Sequence, residues 1–199
     1  SDFGAGRRRC DHGVNPVKVP ELRLPRVVRA SRIGPRRAGR NYPGTLFLQR
    51  GLEFSYVEGA TFVFELIEEG GFSAVDNAFE NLPRSSEQIL HPEKYFDSEK
   101  PIELDVPDDA VGVGWSVLAE SVLGEFFLKT WLEALRSDRA CAALAGWGGD
   151  SYAVFEDEAG ETALGVVIAW DSDADAREFF LVASDALDAH KDFTIASSG

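Results

Sequence analysis

GWGGDSYAVFEDEAGETALGVVIAW, residues 146–170, decides the fold. Gly146-Trp147-Gly148-Gly149-Asp150 breaks the preceding helical pattern, and Tyr152, Val154 and Phe155 then read as a strand. That strand runs into the acidic turn Glu156-Asp157-Glu158-Ala159-Gly160, and Thr162 to Trp170 returns as the second arm of a hairpin. Downstream, Ser172 with Asp175 forms a capping box for a last helix, whose Ala176, Phe179, Phe180, Ala183, Leu187 and His190 recur at i, i+3 and i+4. The tail from Asp192 to Gly199 adds an edge strand or frays.

Upstream of the hairpin the period is helical. Phe62, Val63, Leu66 and Ile67 predict a core helix from about Gly59 to Glu69, stopped by Gly70-Gly71. Ser73 with Asp76 caps a second one, carrying Val75, Ala78, Phe79 and Leu82 before Pro83. Ser85 with Gln88 opens a short turn that Pro92 cuts off. Ile102 to Val106 alternates between Pro101 and Pro107 and reads as a short strand. Leu118, Val122, Phe126, Thr130 and Trp131 predict a long helix over 117–136, and Arg139 to Ala145 a further helical segment. The fold class is therefore α+β: a helical subregion over 45–146, then a hairpin and helix over 147–199, within a single domain from residue 45. No internal repeat is present, which excludes solenoids and propellers.

The charge is divided. The 199 residues carry 34 acids and 20 bases, a formal −14. Residues 1–50 hold 12 bases and 3 acids, about +9, which leaves 8 bases and 31 acids, near −23, for the rest. A body so acidic repels nucleic acid and anionic membrane. Residues 1–44, with Pro16, Pro20, Pro25, Pro35 and Pro43, read as a basic, disordered arm. Three readings of it compete: a tail for nucleic acid or an acidic partner, a self-solvated linker, or a start that arises from a reading-frame error. Cys10 and Cys141 fit neither a redox motif nor a zinc knuckle. No apolar stretch is long enough to span a membrane, and the sequence contains no Met, so the expectation is a piece of a longer product.

Catalytic motifs are absent: the sequence has no His-Glu-x-x-His, no Gly-x-Ser-x-Gly and no phosphate loop. Of its three histidines, His12 lies in the arm and His190 on an apolar helix face. His91-Pro92-Glu93 is the candidate polar site, with His91 either a helix cap or a ligand or base. Trp147 with Asp150, echoed by Trp170-Asp171, forms a candidate binding corner for a sugar or peptide, or else a helix-to-strand junction with its ring in the core. Glu125 sits between apolar neighbours and is either drawn inward toward a partner or, the favoured reading, placed on a solvated face. The acidic groups Asp108-Asp109, Glu156-Asp157-Glu158 and Asp171-Asp173-Asp175 lack EF-hand spacing.

Leu82-Pro83-Arg84-Ser85-Ser86-Glu87-Gln88-Ile89-Leu90-His91-Pro92-Glu93-Lys94-Tyr95 resembles the signature of a family of bacterial and haloarchaeal secreted or surface zinc metallopeptidase-like proteins. Leu123-Gly124-Glu125, Gly146 to Asp150, and Trp170-Asp171-Ser172 are similar to further family segments in the same order. The resemblance implies that the zinc-binding helix lies upstream, so this chain carries no catalytic residue, no metal ligand and no cofactor of its own. It implies a zinc-binding domain of the same polypeptide as partner, peptide as substrate and a location outside the cell or on its surface. Glu87, Gln88, His91 and Glu93 are then expected to line the cleft of that domain. The alternative is a non-catalytic extracellular binding module that uses Trp147, Asp150 and Trp170. Acidic composition with only five lysines agrees with a halophilic origin, where molar salt shortens the Debye length to about 3 Å.

Overall fold

In a computed structural model of the chain, the described residues are 28–30, 43–135, 137, 139–188 and 193–195. His12, His190, Cys10 and most of the basic arm lie outside them. The fold is α+β. Its elements are β1 (Val28–Ala30), α1 (Pro43–Glu80), α2 (Ser86–Leu90), α3 (Pro92–Phe96), β2 (Trp115–Ser121), α4 (Gly124–Ala134), α5 (Ala140–Leu144), β3 (Trp147–Asp157), β4 (Thr162–Trp170), α6 (Asp173–Asp188) and β5 (Phe193–Ile195).

Helix α1 is two helices joined at a kink. Gly70 (φ −146°, ψ 17°) and Gly71 (φ 66°, ψ −161°) leave helical geometry, and Gly71 adopts a conformation that is essentially confined to glycine. The first of these helices starts at Pro43 rather than Gly59, with proline at a position where its missing N–H costs nothing. The kink folds Ala78 back toward Phe62 and Leu66, and Ile89 and Tyr95 of the α2–α3 segment close this cluster.

Strands β2, β3 and β4 form an antiparallel sheet in that order. Along β3 and β4 the side chains alternate cleanly. Val166 and Ile168 face Leu128 and Leu132 of α4, Ala143 and Leu144 of α5, and Phe179, Val182 and Ala183 of α6. Ala153, Phe155, Ala163 and Val167 face the other way, where Val106 and Val111 cover them. The register slips between Trp147 and Gly149, so a bulge opens the hairpin arm. Separately, β1 pairs antiparallel with β5.

Two expectations are overturned. Residues 117–136 are not one helix: Trp115–Ser121 is the third strand of the sheet, pairing with β3, and α4 begins only at Gly124. Gly124 has φ 73°, a left-handed turn that separates strand from helix. The helical subregion therefore contributes a strand to the sheet. Ile102 to Val106 is not a strand either. It is a strap, tied by the Ile102 N–H to Gly148 O at 2.7 Å, and it passes so close that a Cβ on Gly149 would collide with the Ile102 backbone. Among the described residues no helix is long and apolar enough to cross a membrane.

Candidate functional site

The α2–α3 segment is a knot of two five-residue helices, too short to persist without packing. Ser85 Oγ accepts from Gln88 N–H at 3.2 Å, the cap expected of this spacing. The buried Gln88 side chain accepts from Arg84 N–H at 2.6 Å and donates to Glu99 O, so it ties both ends of the knot together. His91 closes α2 through its own N–H to Glu87 O and leads into Pro92, the first residue of α3.

Lys94 centres the charged part of the site. Its Nζ donates to Glu87 Oε1 at 2.6 Å, Glu99 Oε1 at 2.8 Å and Asp171 Oδ2 at 3.1 Å. Helix α2 and two loops thus converge on one ammonium of α3. Burial pushes the Glu87 carboxyl up to about 8, although Lys94 pulls the other way. For Lys94, burial acts downward, but the charges and hydrogen bonds of its carboxylates outweigh it and hold the ammonium above its ordinary range. Asp171 is raised as well, by burial first.

The same three carboxylates offer oxygens within 4.8 Å of one another, a spacing that a metal ion could bridge. Lys94 already sits among them, and a divalent cation there would have to expel its ammonium. The set contains neither imidazole nor thiolate, the donors zinc prefers. These residues do not fit zinc.

Glu125 is drawn inward, against the expectation of a solvated face. It is 6% exposed, and its two carboxylate oxygens lie 3.2 and 3.1 Å from His91 Nε2. His91 Nδ1 is 3.9 Å from Glu93, whose side chain is 72% exposed. Both ring nitrogens face carboxylates, which favours the protonated ring. The His91 ring makes no capping bond.

Asp150 reaches from β3 to the start of α4. Oδ2 accepts from Leu123 N–H at 2.8 Å and Oδ1 from Gly124 N–H at 2.7 Å, while Ser86 Oγ accepts from Phe126 N–H at 3.2 Å. Helix α4 is thus capped from outside its own sequence. A Cβ on Gly124 would stand 2.6 Å from Ser86 Oγ, so glycine is required there twice over. Burial raises the Asp150 carboxyl, and the two backbone amides oppose it.

Beside this cap lies an open, mostly apolar groove of about 570 Å3, lined by Phe54, Ile102, Leu123, Phe126, Trp147 and Asp150 among others. Trp147 is fully buried, in register with Trp170 on β4. Trp170 packs against Phe179 in a tilted pair, ring centroids 4.8 Å apart, and takes no part in the groove. Of the sequence candidates, Trp147 and Asp150 are brought together. Glu87, Gln88, His91 and Glu93 belong to the knot and do not line the groove.

Residues 115–198 match a family model described as a domain of unknown function (DUF8575). The match spans the sheet, α4, α5 and α6, less than half of the chain. No curated protein and no solved structure matches the chain.

Sequence reasoning missed Lys94, Glu99 and Ser86. Lys94 carried a signal: a lone cation in a strongly acidic stretch, seven residues after a glutamate that the helix buries. Nothing local marked Glu99, because its partner is fixed only when the chain turns back after α3.

Proposed function

We propose that the chain is a non-catalytic buttress of a metallopeptidase-like surface protein, and that α1 is the seat on which a separately folded zinc domain rests. The observation that carries this reading is the outward face of α1. Leu48, Leu52, Tyr56 and Val63 are exposed, at 74, 66, 79 and 39%. At 100° per residue they fall within about 80° of one another. The opposite face is already occupied, with Phe54 on Phe126 at 4.2 Å and Phe47 on Phe127 at 6.1 Å. A helix apolar on both sides is ordinarily covered on both. Phe64, Phe72 and Phe79 extend the exposed apolar surface, and patches of this kind mark interaction sites. Exposed Glu53, Glu68 and Glu69 flank the patch, so charge complementarity favours a partner surface with an apolar centre and a basic rim.

The polar groups support a non-catalytic role. Among the described residues, Lys94 occupies the centre of the one close carboxylate triad, and His91 Nε2 is engaged by Glu125. The zinc domain as the occupant of the seat rests on the resemblance of residues 82–95.

Leu52→Asp combined with Tyr56→Asp tests the seat. The wild-type chain is expected to bind a hydrophobic dye and to self-associate in sedimentation. The variant should lose both while its circular dichroism is unchanged, since neither side chain is buried. Equal dye binding and equal mass in the two proteins would remove the seat. Chelator-sensitive cleavage of casein by the purified chain would remove the non-catalytic reading.

A further inference from the structure

His91 stands where α2, α3 and α4 meet. Its main chain joins the two helices of the knot, and its ring crosses to Glu125 in the first turn of α4. The Glu125 carboxylate is buried, and Oε2 makes no hydrogen bond although it lies 3.1 Å from Nε2. The imidazole is therefore the counter-charge of the whole carboxylate. The charged groups that act on the ring are Glu125 from α4, Glu93 from α3 and Glu87 from α2, all acidic.

We infer that the His91–Glu125 pair is a proton-operated latch, closed when the imidazole is charged and loosened when it is neutral, that fastens the α2–α3 knot to α4. The proton that leaves is the one on Nδ1, which faces exposed Glu93. Nε2–H remains as a neutral donor, so the buried carboxylate keeps a hydrogen bond and loses its counter-charge. A buried carboxylate without one is costly, and the knot opens to let water reach it.

The electrostatics run the same way. Burial pulls the His91 pKa down, but the Glu125 hydrogen bond and the charges of Glu125 and Glu93, joined by Glu87 where it ionises, outweigh it and hold the ring above its usual 6.5. A group raised by folding stabilises the folded state fully below its unfolded pKa, and that stabilisation is lost as pH climbs through the folded value. Opening of the knot therefore becomes more frequent as pH rises through that value. Phe126 and Phe127 follow Glu125 directly and stack on Phe54 and Phe47, so movement at the latch reaches α1.

Two measurements on the full chain test the latch. In proton NMR the His91 ring, assigned against His91→Gln, should titrate above 6.5 in the wild type and at a lower pH in Glu125→Gln. In hydrogen exchange, the protection factors of amides 86–96 should fall between pH 6 and pH 8.5. That fall should persist in Glu87→Gln, whose lost carboxyl titrates over the same interval, and vanish in Glu125→Gln. A wild-type ring that titrates at or below 6.5, protection that is equal at both pH values, or a fall that survives in Glu125→Gln would overturn the proposal. Should Glu125→Gln fail to fold, the wild-type titration and the wild-type protection at the two pH values decide.

Discussion

Lys94 satisfies three carboxylates with one side chain, and only because Glu87 lies on α2, Glu99 after α3 and Asp171 after β4. Glu87 is the most deeply buried of the three, and its behaviour with pH follows from that. Its pKa rises on folding from an ordinary 4.5 to about 8. The folded chain therefore holds this proton over an interval where the unfolded chain has released it. Stability from Glu87 is complete below pH 4.5 and is lost as pH rises through about 8. Glu87→Gln cannot ionise, so urea unfolding at pH 5, 7 and 9 should show a smaller fall in stability than the wild type shows. An equal fall in both proteins would place the pH dependence elsewhere. Glu125 repeats the lesson at the same scale. Read from its own helix it belongs in water, and only His91, 34 residues earlier, explains why it is buried.

At the scale of elements, the kink of α1 offers a direct test. Gly71 has φ 66° and ψ −161°, and nothing lies within 4 Å of the place a Cβ would take. Gly71→Ala therefore tests backbone strain alone, with an expected loss of about 1–3 kcal/mol in urea unfolding. A loss below about 0.5 kcal/mol would mean that the turn tolerates a side chain. The hairpin, α5, α6 and the Gly-Gly kink were legible because each carries its own signal: alternation, a capping box, or glycine where helix must stop. β2 was not. Leu118, Val122 and Phe126 imitate helical spacing across a strand, a turn and a helix, and only pairing with β3 and the positive φ of Gly124 separate them. The strap at 102–106 has the alternation of a strand, but among the described residues its backbone is tied to the sheet by Ile102 N–H to Gly148 O, between prolines that donate none. Of the candidate site, the knot and the Trp147–Asp150 pair were visible locally. The complete Lys94 cluster and the Asp150 cap of α4 were not, since Asp171 lies 77 residues from Lys94 and the capped amides lie 27 and 26 residues from Asp150.

At the scale of the molecule, charge dominates. Residues 51–199 carry near −23, and exposed acids on α1, α3 and α6 face water with few lysines among them. Self-repulsion of this size destabilises the folded chain at low salt and is screened in molar salt. The melting temperature should climb between 0.1 M and 2 M KCl; a flat or falling curve would count against a salt-adapted surface.

The bond from Lys94 to Asp171 spans 77 residues, and the Asp150 cap of α4 spans 26. A chain that leaves the ribosome with its N-terminal end first makes α1 and the knot before β3 and β4 exist. Until Trp147 to Asp171 has emerged, Lys94 lacks one of its three acceptors and the first amides of α4 have none from Asp150. The helical half must therefore wait, unfinished and with apolar faces showing, until residues 147–171 are made.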